Sequence, residues 1–147
     1  MKDLKKQIQR SFRMEMIGTG LYSALAKQYG RQNQKLGERL QAFSDDERMH
    51  GRLFQKCSQN LFGNAPGGEH LWRFIGKMAA WSMRPLSLQA KLKKLSIAEK
   101  QAVERIEQAL AAGGDTSFHK TIRVILRDEK THAAFYDEWR SSSPMQT

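Results

Sequence analysis

Apolar side chains recur along most of this chain at spacings of three and four residues, the period of one face of an α-helix. A cluster of Gly, Asn and Pro at residues 63–68 gives the clearest break. The pattern predicts an all-α fold. Its helices cover about residues 4–29, 33–62, 69–83, 87–112, and from a cap at Asp115 or Thr116 to about residue 139.

The apolar face of each long predicted helix carries one glutamate near its middle. These residues are Glu15, Glu47, Glu99 and Glu129. An isolated ionised carboxylate is costly in an apolar interior, so each of them needs a compensating partner there. The four positions therefore direct attention to the chemistry of the core.

Two of these glutamates belong to a repeated motif. The strings Asp46-Glu47-Arg48-Met49-His50 and Asp128-Glu129-Lys130-Thr131-His132 are both Asp-Glu-x-x-His. Residues three apart lie on one face of a helix, so the carboxylate and the imidazole point the same way. One such string is common on exposed helices, whereas two in one small chain favour a metal site.

The two halves of the chain repeat. Glu47 follows Glu15 by 32 residues, and Glu129 follows Glu99 by 30 residues. Glu104 and Glu107 lie near Glu99, but they leave the apolar stripe and break the repeat. Each half therefore predicts a helical hairpin with Glu on its first arm and Glu-x-x-His on its second.

Two such hairpins joined by a crossover helix predict a four-helix bundle. We expect one domain over residues 1–140 and a flexible C-terminal tail over residues 141–147. A chain of 147 residues is long enough for one domain with a full core.

Four carboxylates and two imidazoles at one level of a core require about two divalent cations for charge balance. Oxygen and imidazole ligands without thiolates suit iron or manganese and do not exclude zinc. We predict two divalent metal ions, held by six ligands: Glu15, Glu47, His50, Glu99, Glu129 and His132.

Within this set, Glu47 and Glu129 are candidates to bridge the metals, and Glu15 and Glu99 are terminal ligands. Asp46 and Asp128 are suited to accept a hydrogen bond from the second ring nitrogen of a ligand histidine. Tyr22 lies about two turns after Glu15, where its hydroxyl could reach a ligand carboxylate. Beyond the metal ligands the sequence identifies no catalytic residue.

These motifs resemble those of the ferritin-like superfamily, and within it the rubrerythrin-like branch. The resemblance rests on Glu15 with Tyr22, on Glu99 and on the two Asp-Glu-x-x-His strings. It implies a non-haem di-iron oxidoreductase, of peroxidase or oxygenase class, that reacts with oxygen or peroxide. The alternatives are a protein that binds or oxidises iron, a membrane-surface hydroxylase similar to demethoxyubiquinone hydroxylases, and a metal-free helical binding module.

The chain departs from the rubrerythrin pattern at two points. It has a single cysteine, Cys57, and so lacks the two Cys-x-x-Cys pairs of a rubredoxin-like iron domain. The resemblance therefore implies a separate electron donor protein. Rubrerythrins also tend to carry a second glutamate three residues after the third-helix ligand, where this chain has Ala102, which weakens the peroxidase interpretation.

The chain is strongly basic, with 25 Lys and Arg against 15 Asp and Glu, a net charge of +10. Such a surface attracts anionic partners, so an anionic membrane surface is one candidate and the apolar and basic crossover at residues 71–88 is where it would bind. We favour the alternative in which that crossover packs on the bundle. Nucleic acid is an unlikely partner because no recognition motif accompanies the charge, and a homodimer is a further candidate.

The localisation expected from the sequence is cytoplasmic, with a peripheral position at the inner face of a membrane as the alternative. The first residues are charged and lack the apolar core of a signal peptide. No run of about 18 apolar residues is present to span a membrane. The single cysteine is in keeping with a reducing compartment.

Overall fold

A computed structural model describes residues 2–142 of the chain, and within that range it contains helices and no strand. The predicted all-α class is therefore confirmed. The helices are α1 (Lys2–Gly30), α2 (Gln34–Phe62), α3 (Glu69–Ser82), α4 (Leu88–Ala111) and α5 (Ser117–Ser142).

The helix ends follow from local capping chemistry. The side chain of Asn33 accepts a hydrogen bond from the backbone N–H of Leu36 at 3.0 Å, and that of Ser87 accepts one from Ala90 at 3.2 Å. Both are N-caps that satisfy a donor of the first turn. Gly63 ends α2 in the left-handed region, at φ 71°, where glycine carries no steric penalty.

The last helix continues two residues into the predicted tail, to Ser142. The rest of that tail, residues 143–147, lies outside the described residues. The flexible tail therefore stays a prediction.

The chain divides into two compact units, Met1–Arg84 and Pro85–Thr147. In the first unit α1 packs against both α2 and α3. In the second unit α4 packs against α5. Each unit thus contains one of the two predicted hairpins, and the first unit also contains the crossover helix.

Two glycines allow α1 and α3 to approach backbone to backbone. A Cβ atom on Gly20 of α1 would collide with the carbonyl oxygen of Arg73, and one on Gly76 of α3 would collide with that of Ile17. Only glycine fits where main chains lie this close. The small residues Gly76 and Ala80 are accordingly the buried residues of α3.

The large apolar residues of α3 face the other way. The preferred expectation from the sequence, that the crossover packs its apolar face on the bundle, is wrong for five side chains. The exposed residues are Leu71, Phe74, Ile75, Met78 and Trp81. The physical reason is that close glycine packing against α1 uses the small face of α3 and leaves the large face outside.

None of the described helices has an apolar stretch of the length and hydropathy required to cross a membrane.

Candidate metal centre

In the first hairpin, three predicted ligands meet at the middle of the two arms. Glu15 comes from α1, and Glu47 and His50 come from α2. One possible ligand atom of each lies within 4.8 Å of the other two. Glu47 and His50 are buried, and the Glu15 side chain is nearly so. We call this cluster the first half-site.

The second hairpin gathers the corresponding residues. Glu99 comes from α4, and Glu129 and His132 come from α5. Their ligand atoms also lie within 4.8 Å of one another, and all three side chains are buried. We call this cluster the second half-site. The structure thus brings together the ligand set predicted for each hairpin.

The spacing of the donor atoms suits a shared cation. His50 Nδ1 lies 3.4 Å from Glu15 Oε2, and His132 Nδ1 lies 3.9 Å from Glu129 Oε1. Ligands that share a divalent ion at bond lengths of about 2.0–2.2 Å lie about 3 Å apart or slightly more. A good N–H···O hydrogen bond is about 2.7–3.2 Å, so both separations exceed it. The donor set and its spacing therefore fit a metal ion in each half-site.

Both histidines turn the same ring nitrogen, Nδ1, toward a carboxylate of their half-site. A nitrogen that binds a metal must be free of a proton, so the proton of the neutral ring would then reside on Nε2. The sequence predicted which histidines belong to the site but not which nitrogen faces it. The Glu-x-x-His spacing sets the face of the helix, whereas the ring nitrogen depends on the side-chain rotamer.

Gly18 is a feature of the first half-site that the sequence did not single out. A Cβ atom at this position of α1 would collide with Glu47 Oε2 and come within 3.0 Å of Glu47 Cδ. The missing side chain therefore leaves the space that the carboxylate of Glu47 occupies. The signal was available in the repeat, because Gly18 follows Glu15 by three residues as Ala102 follows Glu99.

A serine joins the two arms of each hairpin beside its half-site. Ser44 Oγ donates to the carbonyl oxygen of Thr19 at 2.8 Å, and Ser96 Oγ donates to that of Ala133 at 3.0 Å. Each serine lies three residues before a ligand glutamate, and each carbonyl lies four residues after a ligand glutamate on the other arm. All four residues are buried. These bonds fix the position of one arm along the axis of the other. The helical period of the sequence does not predict them, because they depend on how the two arms pack.

The remaining predicted residues are near the ligands along the chain. Asp46 and Asp128 are half-buried, and Tyr22 is buried with its ring edge-on to Phe43 at 5.6 Å between centroids. Their hydrogen-bonding roles stay predictions. The rejected alternatives Glu104 and Glu107 are exposed, and Glu107 forms an ion pair with Lys130 at 2.8 Å.

The pKa of Tyr136, one turn beyond His132, lies below its ordinary value. The main cause is a hydrogen bond that Gln89 Nε2 donates to the phenol oxygen at 3.4 Å, followed by the interaction with Arg140. A donor to the phenol oxygen stabilises the ionised form. This contact links α4 to α5 well away from the carboxylates, since Gln89 lies ten residues before Glu99.

A comparison with protein families gives a match that covers nearly the whole chain. The family model described as Rubrerythrin matches residues 6–139, a range that includes both half-sites. No curated protein sequence and no solved structure matches the chain significantly. By this match the chain belongs to the rubrerythrin family, a ferritin-like di-iron carboxylate family.

Proposed function

We propose that the two half-sites act together as one dinuclear metal centre that reacts with oxygen or peroxide. The observation that carries this proposal is the duplicated donor set, since each hairpin gathers two carboxylates and one imidazole within 4.8 Å. Four glutamate charges are what two divalent cations neutralise. Membership of a di-iron carboxylate family makes iron the first metal to test, with manganese and zinc next.

In this centre the ligand residues have distinct tasks. Glu47 and Glu129 would hold both metals, while Glu15 and Glu99 would each hold one. His50 and His132 bind through Nδ1, the nitrogen that already faces a carboxylate in each half-site. Asp46 and Asp128 hold the histidine tautomer by accepting from Nε2.

Bound iron would supply the electron pair that, with two protons, converts one peroxide to two water molecules. The chain must regain those electrons from elsewhere. Its single cysteine, Cys57, is buried in α2 and cannot form a four-cysteine iron site. We therefore propose a separate electron donor protein, which the basic surface would attract if that donor is acidic.

Metal analysis of the protein purified without chelator tests the centre itself. We expect about two iron ions per chain after anaerobic addition of ferrous iron, as the di-metal template requires. Glu47→Ala should lose metal. Glu104→Ala is the matched control, because it also removes a helical glutamate, but one that is exposed on α4. Less than one ion per chain, with no gain on adding ferrous iron, would leave only a metal-free binding module.

Mixing the ferrous protein with oxygen or peroxide tests the reaction. Rapid oxidation followed by repeated turnover with an added reductant supports the oxidoreductase. Oxidation that ends in a deposited ferric product, without turnover of any donor, would instead assign iron handling to the protein. Oxygen-dependent hydroxylation of an added quinone would assign the hydroxylase activity. Manganese, cobalt and zinc loading under the same conditions distinguishes the metals.

A further inference from the structure

Helix α3 presents its large apolar side chains to solvent and its small ones to α1. Leu71, Phe74 and Trp81 are each 58% exposed, and Ile75 and Met78 lie between them on the same face. Their spacing of three and four residues places all five along one stripe of a single helix. We call these five residues the α3 stripe. A contiguous exposed apolar stripe of this kind marks an interaction surface.

A basic groove adjoins the C-terminal end of the α3 stripe. It has a volume of about 370 Å³ and lies between the C-terminal parts of α1 and α3. Lys27, Lys77 and Arg84 line it together with Trp81. Three cations beside an indole ring match a phosphate group at the boundary between water and hydrocarbon, where tryptophan is favoured. The stripe and the groove are two separate observations on the same unit, and they share Trp81.

We propose that α3 lies on an anionic phospholipid surface, with the α3 stripe in the interface and the groove holding a lipid phosphate. A helix that lies in a membrane interface has aromatic and aliphatic residues on one side and lysine or arginine beside them. The length of α3, 14 residues, is ample for such a helix. The net charge of +10 favours an anionic surface over a neutral one.

The charges favour a lipid surface over a second copy of this chain. A symmetric dimer would place the same surface of two copies together, and Lys77 and Arg84 adjoin that surface beside Trp81. The acid of α3, Glu69, lies 3.6 Å from both Arg48 and Arg73 of its own chain. Pairing two copies would therefore bring cations together. An anionic membrane meets the same cations with opposite charge.

Vesicle binding tests this proposal on the full chain, with or without metal. We expect flotation with vesicles that contain phosphatidylglycerol to be at least about tenfold stronger than with neutral phosphatidylcholine vesicles. The double variant Phe74→Ser with Trp81→Ser should weaken that binding by about tenfold or more, because both side chains are exposed and their loss removes apolar contact with the bilayer. The matched control is Ile97→Ser with Val124→Ser, two exposed apolar residues of the second unit.

A charge-reversal pair separates the groove from the overall charge. Lys77→Glu with Arg84→Glu should reduce binding to anionic vesicles far more than Lys94→Glu with Lys120→Glu, which changes the net charge equally at exposed positions elsewhere. Equal losses in both pairs would show that general basicity drives the binding and would overturn the proposal. So would equal losses in the two serine pairs, or no binding to anionic vesicles at all.

Self-association is the remaining outcome, and it is distinguishable. If the α3 stripe binds a second copy, Phe74→Ser with Trp81→Ser would convert a dimer to a monomer in light-scattering measurements without vesicles. That result, with vesicle binding unchanged, would overturn the lipid proposal. Circular dichroism of each variant checks that the helices remain folded.

Discussion

The two hairpins carry the same candidate metal ligands, two glutamates and one histidine each, but the residues around those ligands differ. In the first hairpin Gly18 leaves room for the carboxylate of Glu47, and Tyr22 lies two turns beyond Glu15. The corresponding residues of the second hairpin are Ala102 and Ile106. The repeat therefore preserves the donor atoms and changes the neighbours, so the two half-sites need not bind or react alike.

The hairpins also differ in what packs on them. Helix α1 contacts both α2 and α3, and its residues Ile8, Phe12 and Leu25 are completely buried. In α4 the C-terminal stripe residues Val103, Ile106 and Leu110 are only half-buried. Helix α1 therefore has two neighbouring helices within its own unit, whereas α4 has one, and each additional neighbour removes more apolar surface from water.

The largest expected effect tests whether the two half-sites are equivalent. Replacing Glu47 or Glu129 by Ala removes a proposed bridging ligand and leaves the remaining charges unbalanced. Loss of an outer hydrogen-bond partner already costs about 10–100-fold in metal affinity, so loss of a ligand should cost at least about 100-fold. Metal content after ferrous loading and calorimetric titration measure this, with Glu104→Ala and Glu107→Ala as controls.

Unequal losses in Glu47→Ala and Glu129→Ala would rank the half-sites. The Glu99→Ala and Glu104→Ala variants test the alignment of the two hairpins itself. If Glu104→Ala abolished binding while Glu99→Ala did not, the repeat would be aligned wrongly and the second hairpin would use another carboxylate.

The helices and the clustering of Glu and His within each hairpin could be predicted from the sequence, because both depend on spacing along one chain. The apolar period located α1 to α5 to within a few residues, and Asn33 and Ser87 cap as their side-chain chemistry requires. The family match confirms the predicted ferritin-like class and the resemblance to rubrerythrins. Glu15 and Glu47 lie within 4.8 Å of each other because each is at the middle of its arm, the position that the repeat predicts.

What escaped prediction depends on how closely two helices approach. The role of Gly18 follows from the position of the Glu47 carboxylate on a different helix, and the outward face of α3 follows from Gly76 against the α1 backbone. Periodicity shows that a helix has two faces but does not show which face another helix covers. In α3 the face with the small residues is buried, so the expectation that the large apolar residues would be buried is wrong.

The second largest expected effect is a loss of stability when the packing of α3 on α1 is disturbed. In Gly76→Ala the new Cβ collides with the carbonyl oxygen of Ile17, so α3 must move away from α1. Overpacking of this kind costs about 1–3 kcal/mol of unfolding free energy, more than the helix propensity gained from alanine. Gly67→Ala is the control, since nothing lies within 4 Å of its Cβ, and it should change stability by less than about 0.5 kcal/mol.

Chemical denaturation of both variants measures the difference. Equal stability of Gly76→Ala and Gly67→Ala would show that α3 is held loosely on α1. The stability of the first unit would then not depend on the close packing of Gly76 against α1.

Exchanging the small residues beside the two half-sites gives a smaller and more specific effect. Gly18→Ala should stabilise the metal-free helix by up to about 1 kcal/mol through propensity, because the Glu47 side chain can move aside when no metal holds it. The same variant should lose about tenfold in metal affinity, since the displaced carboxylate is a proposed ligand. The reciprocal Ala102→Gly should destabilise the metal-free protein similarly and leave metal affinity nearly unchanged.

Denaturation without metal and titration with ferrous iron separate these two quantities. Equal weakening of metal binding by Ala102→Gly and Gly18→Ala would contradict the expected difference between the two half-sites. Both positions would then support their carboxylates in the same way.

The smallest effect concerns a feature that the two hairpins share. Ser44→Ala and Ser96→Ala each remove one buried hydrogen bond between arms, at 2.8 Å and 3.0 Å. A typical net loss is about 0.5–1.5 kcal/mol of unfolding free energy. Ser141→Ala is the control, because its hydroxyl bonds within its own exposed helix turn. Ser44 lies on the second arm of its hairpin and Ser96 on the first, but both bonds are buried and similar in length, so the two variants should lose similar stability. A cost confined to Ser44 would mean that only the first hairpin fixes its arms by this bond, and the difference between the half-sites would extend from their neighbours to the alignment of the ligands themselves.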